Sequence, residues 1–408
     1  MKRFSGVLFW ITILVLLPFS TASAAEIFNR YVYASSIRSP VETYEEDRTI
    51  TGHQGASTSL AFRLSIYGST GQKMPLLVQV HEWGGDFARM EDLASYIPAQ
   101  YEFVMLYFQF KTSTENETNW WFGTHWGGVC RMWAHEAVME IVREVIGGSL
   151  INSQFGAGID PNRVYLFGHS IGGTGAWQLG IRNPDVFAAI HAHSGFARFT
   201  PPVGPFENQF VNDIVGGPSE GITILDGIGA AYPARDYSNL VWWLSNYHDS
   251  AFEIPFINIT AGTEDETVPA ASGGDLMRPL LDSQKRGFYY YRHSGGHSGV
   301  AFVQMNWMWN FRLNQSFLAF TNRSGYGIGT DQTVSPWVSN GYASGGINNL
   351  YEFGWDPDSI IDQTGQYRVQ LTGSGTADVT LRRLQAFEVT PGGTYHYWLD
   401  SESEPAQQ

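Results

Sequence analysis

Residues 163–177 read Arg-Val-Tyr-Leu-Phe-Gly-His-Ser-Ile-Gly-Gly-Thr-Gly-Ala-Trp. An apolar run rich in β-formers enters Gly168-His169-Ser170-Ile171-Gly172, and small residues able to start a helix leave it. A strand, a sharp turn and a helix with serine at the apex hold that serine in a strained backbone conformation. Nothing bulky then fits two residues before or after it, and Gly168 and Gly172 meet that demand. The turn lifts the serine oxygen above a sheet and sets the neighbouring N–H groups at a helix N-terminus, where negative charge is stabilised. Ser170 is therefore both a constraint on the fold and the candidate nucleophile.

The surrounding apolar pattern fits the same plan. Leu76–Val80, Val104–Phe108, Val164–Phe167, Phe256–Thr260 and Phe288–Tyr291 are short, continuously apolar runs. Between them, Val129–Ile146 and Val300–Phe311 have helical spacing, with Trp133, Ala137 and Ile141 on one stripe of the first. Runs of this kind are strands of a parallel sheet buried on both faces. The expected core is a doubly wound α/β sheet that binds its ligand at the carboxyl ends of the strands. Alternation in Tyr31–Ser35 and Leu60–Tyr67 predicts earlier, partly exposed antiparallel strands.

Residues 196–250 interrupt the rhythm. The stretch is rich in Pro and Gly and carries Phe199, Phe206, Phe210, Tyr232, Tyr237, Trp242 and Trp243. An aromatic insertion of this length inside a domain suits a cap over a site. Past residue 322 the sequence turns Gly-, Ser- and Thr-rich, with short strands expected at Tyr367–Leu371, Ala377–Leu381, Leu384–Val389 and Tyr395–Leu399. The expected organisation is a catalytic α/β domain over 25–322 and a small all-β appendage over 330–408.

A serine hydroxyl needs a base, a carboxylate to orient that base, and donors for the tetrahedral oxyanion. In strand–turn–helix serine hydrolases the chain order is Ser, acid, His. Gly262-Thr263-Glu264-Asp265-Glu266-Thr267-Val268-Pro269 follows the run Phe256–Thr260, so adjacent carboxylates compete at one strand end. Asp265, in mid-turn, is favoured, and Glu264 and Glu266 fit a solvated turn better. The next run ends in His293-Ser294-Gly295-Gly296-His297. Flanking glycines let His297 swing toward Ser170, whereas the pleat fixes the direction of His293. Oxyanion donors are expected from the N–H of Ile171 and from the segment His81-Glu82-Trp83-Gly84-Gly85, most readily at Trp83. Trp120, Trp121 and Trp243, with His169 beside the nucleophile, are the expected substrate contacts, since flat apolar rings suit aryl groups and sugars. His81, Glu82, His191 and His193 are the rival material for a metal site. No HExxH spacing or cysteine pair accompanies them, so neither metal nor cofactor is expected.

Hydrophobic residues make up 43% of the 408 residues and aromatics 15%, enough for a large core and against disorder. The formal charge is −15. An acidic chain without Lys/Arg clusters is a poor partner for nucleic acid or anionic membrane. Lys2 and Arg3 precede an apolar stretch, Val7 to Phe19, followed by Ala22-Ser23-Ala24-Ala25, the pattern of a signal peptide cleaved after Ala24 or Ala25. Secretion or periplasmic export of residues 25–408 is expected, without stable membrane insertion, because the stretch is shorter than the ~20 residues of a spanning helix. Cys130 is the only cysteine, so no disulfide framework is available. Nothing in the sequence fixes an oligomeric state.

Spaced segments then converge. They are Gly168-His169-Ser170-Ile171-Gly172-Gly173, Asn183-Pro184-Asp185-Val186-Phe187-Ala188-Ala189, Gly262-x-x-Asp265-x-x-Val268-Pro269 and Gly295-Gly296-His297. Upstream, Asn119-Trp120-Trp121-Phe122 is similar to the tryptophan-rich loop that the family named next carries beside its cleft. On these segments residues 75–300 resemble the polyhydroxybutyrate-depolymerase-like esterases, which include feruloyl and acetyl xylan esterases of the first carbohydrate esterase family. The resemblance implies an α/β-hydrolase fold and a serine carboxylic ester hydrolase that forms an acyl-enzyme. Its expected substrates are small-molecule or polysaccharide-linked esters, such as feruloyl or acetyl carbohydrate esters and related aryl or short-chain esters. The chain departs from the pattern at Glu82, where such families usually have glycine, and in lacking their paired cysteines. The insertion and the β appendage lie outside the match. Rival expectations are a polyester depolymerase, a serine peptidase of the same fold, and a non-catalytic binding protein.

Overall fold

A computed structural model describes residues 12–15, 39–51, 57–68, 71–82, 87, 92–97, 100–111, 129–131, 133–148, 158–197, 223–225, 231–233, 240–246, 253–293, 295–297, 308–321, 342–344, 353–373, 375–390 and 393–396. Its central sheet contains β1 (Glu42–Thr51), β2 (Ser57–Tyr67), β3 (Met74–Val80), β4 (Phe103–Lys111) and β5 (Ile159–His169). It continues with β6 (Ala189–His193), β7 (Phe256–Gly262), β8 (Phe288–His293) and β9 (Tyr342–Ser344). The spatial order is β1-β2-β4-β3-β5-β6-β7-β8-β9. The pairs β1–β2, β2–β4 and β8–β9 are antiparallel and the rest parallel. This is the mostly parallel α/β-hydrolase sheet, and the order reverses around β3, the place where such sheets bind ligands.

Every residue of β3, β6 and β7 is buried, as strands covered on both faces require. One face packs under helices α1 (Trp133–Gly147), α2 (Ile171–Arg182), α3 (Leu240–Asn246) and α4 (Gly274–Ser283). Val138, Ile141, Val145, Trp177, Ile181, Leu240, Leu244, Met277 and Leu281 meet Leu76, Val78, Leu166, Ile190 and Ile257 there. On the other face Leu77, Met105, Tyr165 and Phe167 join Leu93 and Ala94 of the 3-10 turn Asp92–Tyr96, and Phe311, Phe317, Phe320 and Trp355.

The structure corrects several expected elements. β2 is antiparallel as expected, but both its faces are buried: Leu60, Phe62, Leu64 and Ile66 on one, Ala61 and Tyr67 on the other. Its outer edge is covered by β1, a strand rich in acidic residues with no apolar alternation, formed by ladder pairing from Glu42–Ile66 to Thr51–Ser57. The helix expected from Val129 starts at Trp133, because Val129–Arg131 pairs in parallel with Thr223–Leu225, itself paired with Ala231–Pro233. In the segment expected as helix Val300–Phe311, residues 308–310 form a single 3-10 turn. Phe311 instead stacks on Phe256 at 4.0 Å between ring centres. Tyr31–Ser35 lies outside the described residues.

The C-terminal residues form small antiparallel ribbons woven into the α/β unit. Phe317–Thr321 pairs with Gly375–Arg382, and β9 extends the central sheet. Phe353–Trp355 pairs with Leu371–Gly373, and Ile361–Gln363 with Gln366–Arg368, which divides the expected strand Tyr367–Leu371. Leu384–Val389 is not a strand. The N–H groups of Gln385, Ala386 and Phe387 donate to the Asp362 carboxylate at 2.8, 3.0 and 2.7 Å, which bends the backbone around it. Tyr395 and His396 are likewise outside any strand, and 397–408 lies outside the described residues. Thr12–Val15, within the expected leader, lies antiparallel to Gly375–Arg382; a chain cleaved after Ala24 or Ala25 would lack this pairing. No helix among the described residues is long and apolar enough to cross a membrane.

Burial imposes a proton cost. His191 of β6 is fully buried, sharing the Thr260 hydroxyl at 3.0 Å, and burial together with the nearby His169 pushes its pKa down to about 3. Because the folded value lies below the unfolded ~6.5, the unfolded chain takes up the proton first as pH falls. The stabilising contribution is therefore present above pH ~6.5 and lost progressively below it, about 2 kcal/mol by pH 5. Chemical denaturation of His191→Gln at pH 7 and pH 5 should show a smaller drop than wild type by about that amount. An equal drop would mean that His191 is protonated in the folded state.

Candidate active site

Ser170 sits between the end of β5 and the start of α2, with φ 58° and ψ −124°, a left-handed conformation that a residue with a Cβ enters only under strain. Two contacts enforce it. A Cβ at Gly168 would lie 1.9 Å from the Gly172 carbonyl oxygen, and one at Gly172 would lie 2.3 Å from the Val80 oxygen at the end of β3. The Ser170 N–H donates to the His193 carbonyl at 2.9 Å, so the turn is tied to β6 as well. Ile171 opens α2, and its N–H belongs to the first turn, which has no intrahelical acceptor. No acidic side chain occupies that turn, so the positive end of the helix dipole is uncompensated.

Asp265 and His297 come from the loops after β7 and β8. Asp265 is buried while Glu264 and Glu266 on either side are exposed, so of the competing carboxylates the structure turns Asp265 inward. Its Oδ1 accepts from the N–H groups of Thr267 and Val268 at 2.9 and 2.8 Å. The His297 Nδ1 lies 2.8 Å from Oδ2 and 3.0 Å from Oδ1, and its Nε2 lies 2.8 Å from the Ser170 Oγ. Burial alone would raise the Asp265 carboxyl. The His297 ring, the Val268 N–H and the Ser194 hydroxyl outweigh it and hold the group below its ordinary value. The two loops are also held to each other: Glu264 N–H donates to the Gly295 carbonyl at 3.2 Å, and Gly262 leaves room for that same oxygen, where a Cβ would meet it at 2.2 Å. His293 closes β8 opposite Gly262.

The remaining expected residues divide. His169, expected as a substrate contact, has both ring nitrogens engaged by the protein: Nδ1 with the Glu82 carboxylate and Nε2 with the His297 carbonyl oxygen at 2.8 Å. Trp243, expected in the cleft, packs against the core beneath the Arg182 guanidinium, 5.0 Å from its ring centre, at the far end of α2 from Ser170. At 1.5 Å per residue that end is roughly 16 Å away, so the tryptophan anchors the insertion to the helix layer. Trp83, Trp120 and Trp121 lie outside the described residues. Of the rival metal-ligand set, His193 and His191 both turn to the Thr260 hydroxyl, at 2.7 and 3.0 Å. His81 bonds the Glu82 carbonyl at 2.6 Å, and burial pushes its pKa down to about 4 against the opposing pull of Glu82. Sequence reasoning missed Glu82 as a partner of this site; its carboxylate two residues past the end of β3 was the available signal.

Residues 59–201 match the family described as Esterase PHB depolymerase, and residues 148–264 match the family Esterase. The chain thus resembles the α/β-hydrolase esterases, of the polyhydroxybutyrate-depolymerase type. Among solved structures, EstE1, a thermophilic carboxylesterase cloned from a metagenomic library, is 14% identical with a TM-score of 0.47, covering 69% of this chain and 91% of that one. An esterase from the archaeon Pyrobaculum calidifontis is 14% identical with a TM-score of 0.42, covering 70% and 88%. An acylaminoacyl peptidase in complex with a chloromethyl ketone is 12% identical with a TM-score of 0.43, covering 65% of this chain. The chain spans 40% of the length of that peptidase and 34% of a longer neighbour from Bacteroides ovatus. No curated protein matches the chain by sequence.

The elbow itself can be tested. Gly172→Ala drives a Cβ into the backbone oxygens of Val80 and His81, at 2.3 and 2.6 Å, neither of which can rotate away. The substitution should cost about 1–3 kcal/mol and slow fluorophosphonate labelling of Ser170. Unchanged thermal stability together with an unchanged labelling rate would show that the close approach is not required.

Proposed function

We propose that the protein is an exported serine carboxylic ester hydrolase in which Ser170, His297 and Asp265 form the catalytic triad. The observation that carries this reading is the unbroken chain Ser170 Oγ to His297 Nε2 to Asp265, at 2.8 Å for each link. The Ser170 hydroxyl gives its proton to His297 Nε2 as Oγ bonds to the acyl carbon, and the carbonyl electron pair moves onto oxygen. Asp265, ionised and buried, holds the His297 Nδ1–H and stabilises the imidazolium that forms. The Ile171 N–H, at the positive end of α2, donates to the oxyanion, with Trp83 as the expected second donor. Collapse expels the alcohol, which takes the proton from His297 Nε2. Water then repeats the sequence on the acyl-enzyme.

Feruloyl and acetyl carbohydrate esters, or related aryl and short-chain esters, are the substrates we favour, because Trp83 follows β3 in the sequence and Trp120 and Trp121 follow β4, and flat apolar rings suit aryl and sugar groups. The family match over residues 59–201 favours a second reading, an aliphatic polyester of the polyhydroxyalkanoate type. Turnover of methyl ferulate and acetylated xylan without release of hydroxy acid from a polyhydroxybutyrate film would support the first; the reverse pattern would replace it with the second.

Ser170→Ala and His297→Ala should each lower kcat on p-nitrophenyl acetate by at least about 10³-fold with the fold retained. Asp265→Asn should follow with a loss of about 10³–10⁴-fold, since the imidazole then takes the wrong tautomer. Glu264→Gln and Glu266→Gln, on exposed side chains, should stay within about threefold. Substantial turnover by His297→Ala would overturn the assignment of the base, and a sensitive Glu264 or Glu266 would move the acid.

A further inference from the structure

The base loop carries a second restraint that the proton relay does not use. His169, between Gly168 and Ser170, is nearly buried and points back over the His297 segment. One ring nitrogen meets the His297 carbonyl oxygen at 2.8 Å and the other the Glu82 carboxylate. The ring thus spans two oxygens that belong to different loops, one on each nitrogen. The ring is clamped between its neighbours as well: it stacks on His193 with centres 4.5 Å apart and planes 20° apart, and it lies 4.8 Å from the His297 ring. His193 is itself fixed by Thr260 at 2.7 Å. The base therefore sits at the end of a chain running Glu82, His169, His297, from the loop after β3 to the loop after β8.

We propose that Glu82 and His169 are positioning residues that fix the main chain of His297 and thereby aim its imidazole at Ser170. The proposal rests on the reading of His297 as the base. Asp265 holds only the far side of the His297 ring, and that contact leaves the ring free to tilt about the Nδ1–carboxylate axis. A hydrogen bond to the carbonyl of the same residue sets where the Cα lies, and the two restraints together define one position for Nε2. Glu82 acts at one remove: its carboxylate, bonded to the His169 Nδ1, orients the opposite nitrogen toward the carbonyl. Displacement of a catalytic group by about 1 Å is sufficient to cost on the order of 10²-fold in rate.

The test is steady-state kinetics on p-nitrophenyl acetate, with active sites counted by fluorophosphonate titration so that kcat is expressed per reactive Ser170. Glu82→Ala and His169→Ala should each lower kcat about 10–100-fold with KM within about threefold. Glu82→Gln, whose amide can still hydrogen-bond the His169 Nδ1, should recover most of the loss. The double variant Glu82→Ala/His169→Ala should be no slower than His169→Ala alone, since both act through one contact. A wild-type kcat in Glu82→Ala, or additive losses in the double variant, would overturn the proposal. So would a Glu82→Gln variant as slow as Glu82→Ala, because rescue is what a positioning hydrogen bond demands and general packing does not. His297→Ala separates the two readings: if it is inactive while the Glu82 and His169 variants are normal, only the positioning role fails. If it remains active, the base assignment fails first.

Discussion

The site depends on how closely the backbone after β5 approaches the backbone after β3. Gly172 rests against the Val80 and His81 carbonyls, and Gly168 against the Gly172 carbonyl, at separations that exclude a Cβ. Between them Ser170 is held at φ 58° with its N–H bonded to β6. The serine is thus placed by three adjacent sheet strands, and not by the conformational freedom of a loop. A strained residue persists only where its surroundings over-determine it, and here the strand ends and the first turn of α2 do so. Asp265 and His297 come from the next strand ends along the sheet, β7 and β8, so their side chains meet Ser170 without a long connection.

Buried charge in this neighbourhood is restricted to paired groups. Asp265 keeps its charge because a ring N–H, two backbone N–H groups and a nearby hydroxyl offset the cost of burial. His81 and His191, in which burial is the dominant influence, are driven far below the ordinary histidine value and are neutral near pH 7. The histidines around Thr260 are hence hydrogen-bonding core residues, in line with the rule that buried polar groups find partners. The His169 ring is set against the Glu82 carboxylate. Two carboxylate–histidine pairs therefore flank Ser170, one on the His297 ring and one reaching its main chain.

The sequence made the strand–turn–helix around Ser170 legible because glycine at 168 and 172 is a steric requirement that few other folds impose together. Asp265 and His297 were legible for a related reason: each lies in a short glycine-bearing loop just after a continuously apolar strand. What was not legible depended on long-range pairing. β1 has acidic residues where a strand pattern would have apolar ones, and only its ladder with β2 makes it a strand. Val129–Arg131 continues the helical spacing of α1 but is drawn into a strand by Thr223–Leu225, almost a hundred residues away. Trp243 reads as a cleft ring by composition, yet Arg182 and the helix layer hold it elsewhere. His169 was read as a substrate contact because of its neighbour, and the acceptors that redirect it, Glu82 and the His297 carbonyl, come from opposite sides of the sheet's centre.

The C-terminal ribbons matter to this arrangement because they complete the face of the sheet opposite α1 and α2. Trp355 packs with Phe311 and Phe320 in the second core, and Phe311 stacks on Phe256, the first residue of β7. Arg383, buried and at φ 53°, donates to the Ala188 carbonyl just before β6 at 3.3 Å and to the Arg312 carbonyl at 3.2 Å. Lys285, in the turn after α4, is buried against Thr321 and the Asp378 carboxylate at 3.1 and 3.4 Å. Each of these contacts meets the amino-end side of β6, β7 or β8, the strands whose carboxyl ends present His193, Asp265 and His297. A buried lysine or arginine left without its partners carries a heavy desolvation cost. The residues after 322 are accordingly tied to the same strands that carry Ser194, Asp265 and His297 into one place, from the opposite end of the sheet.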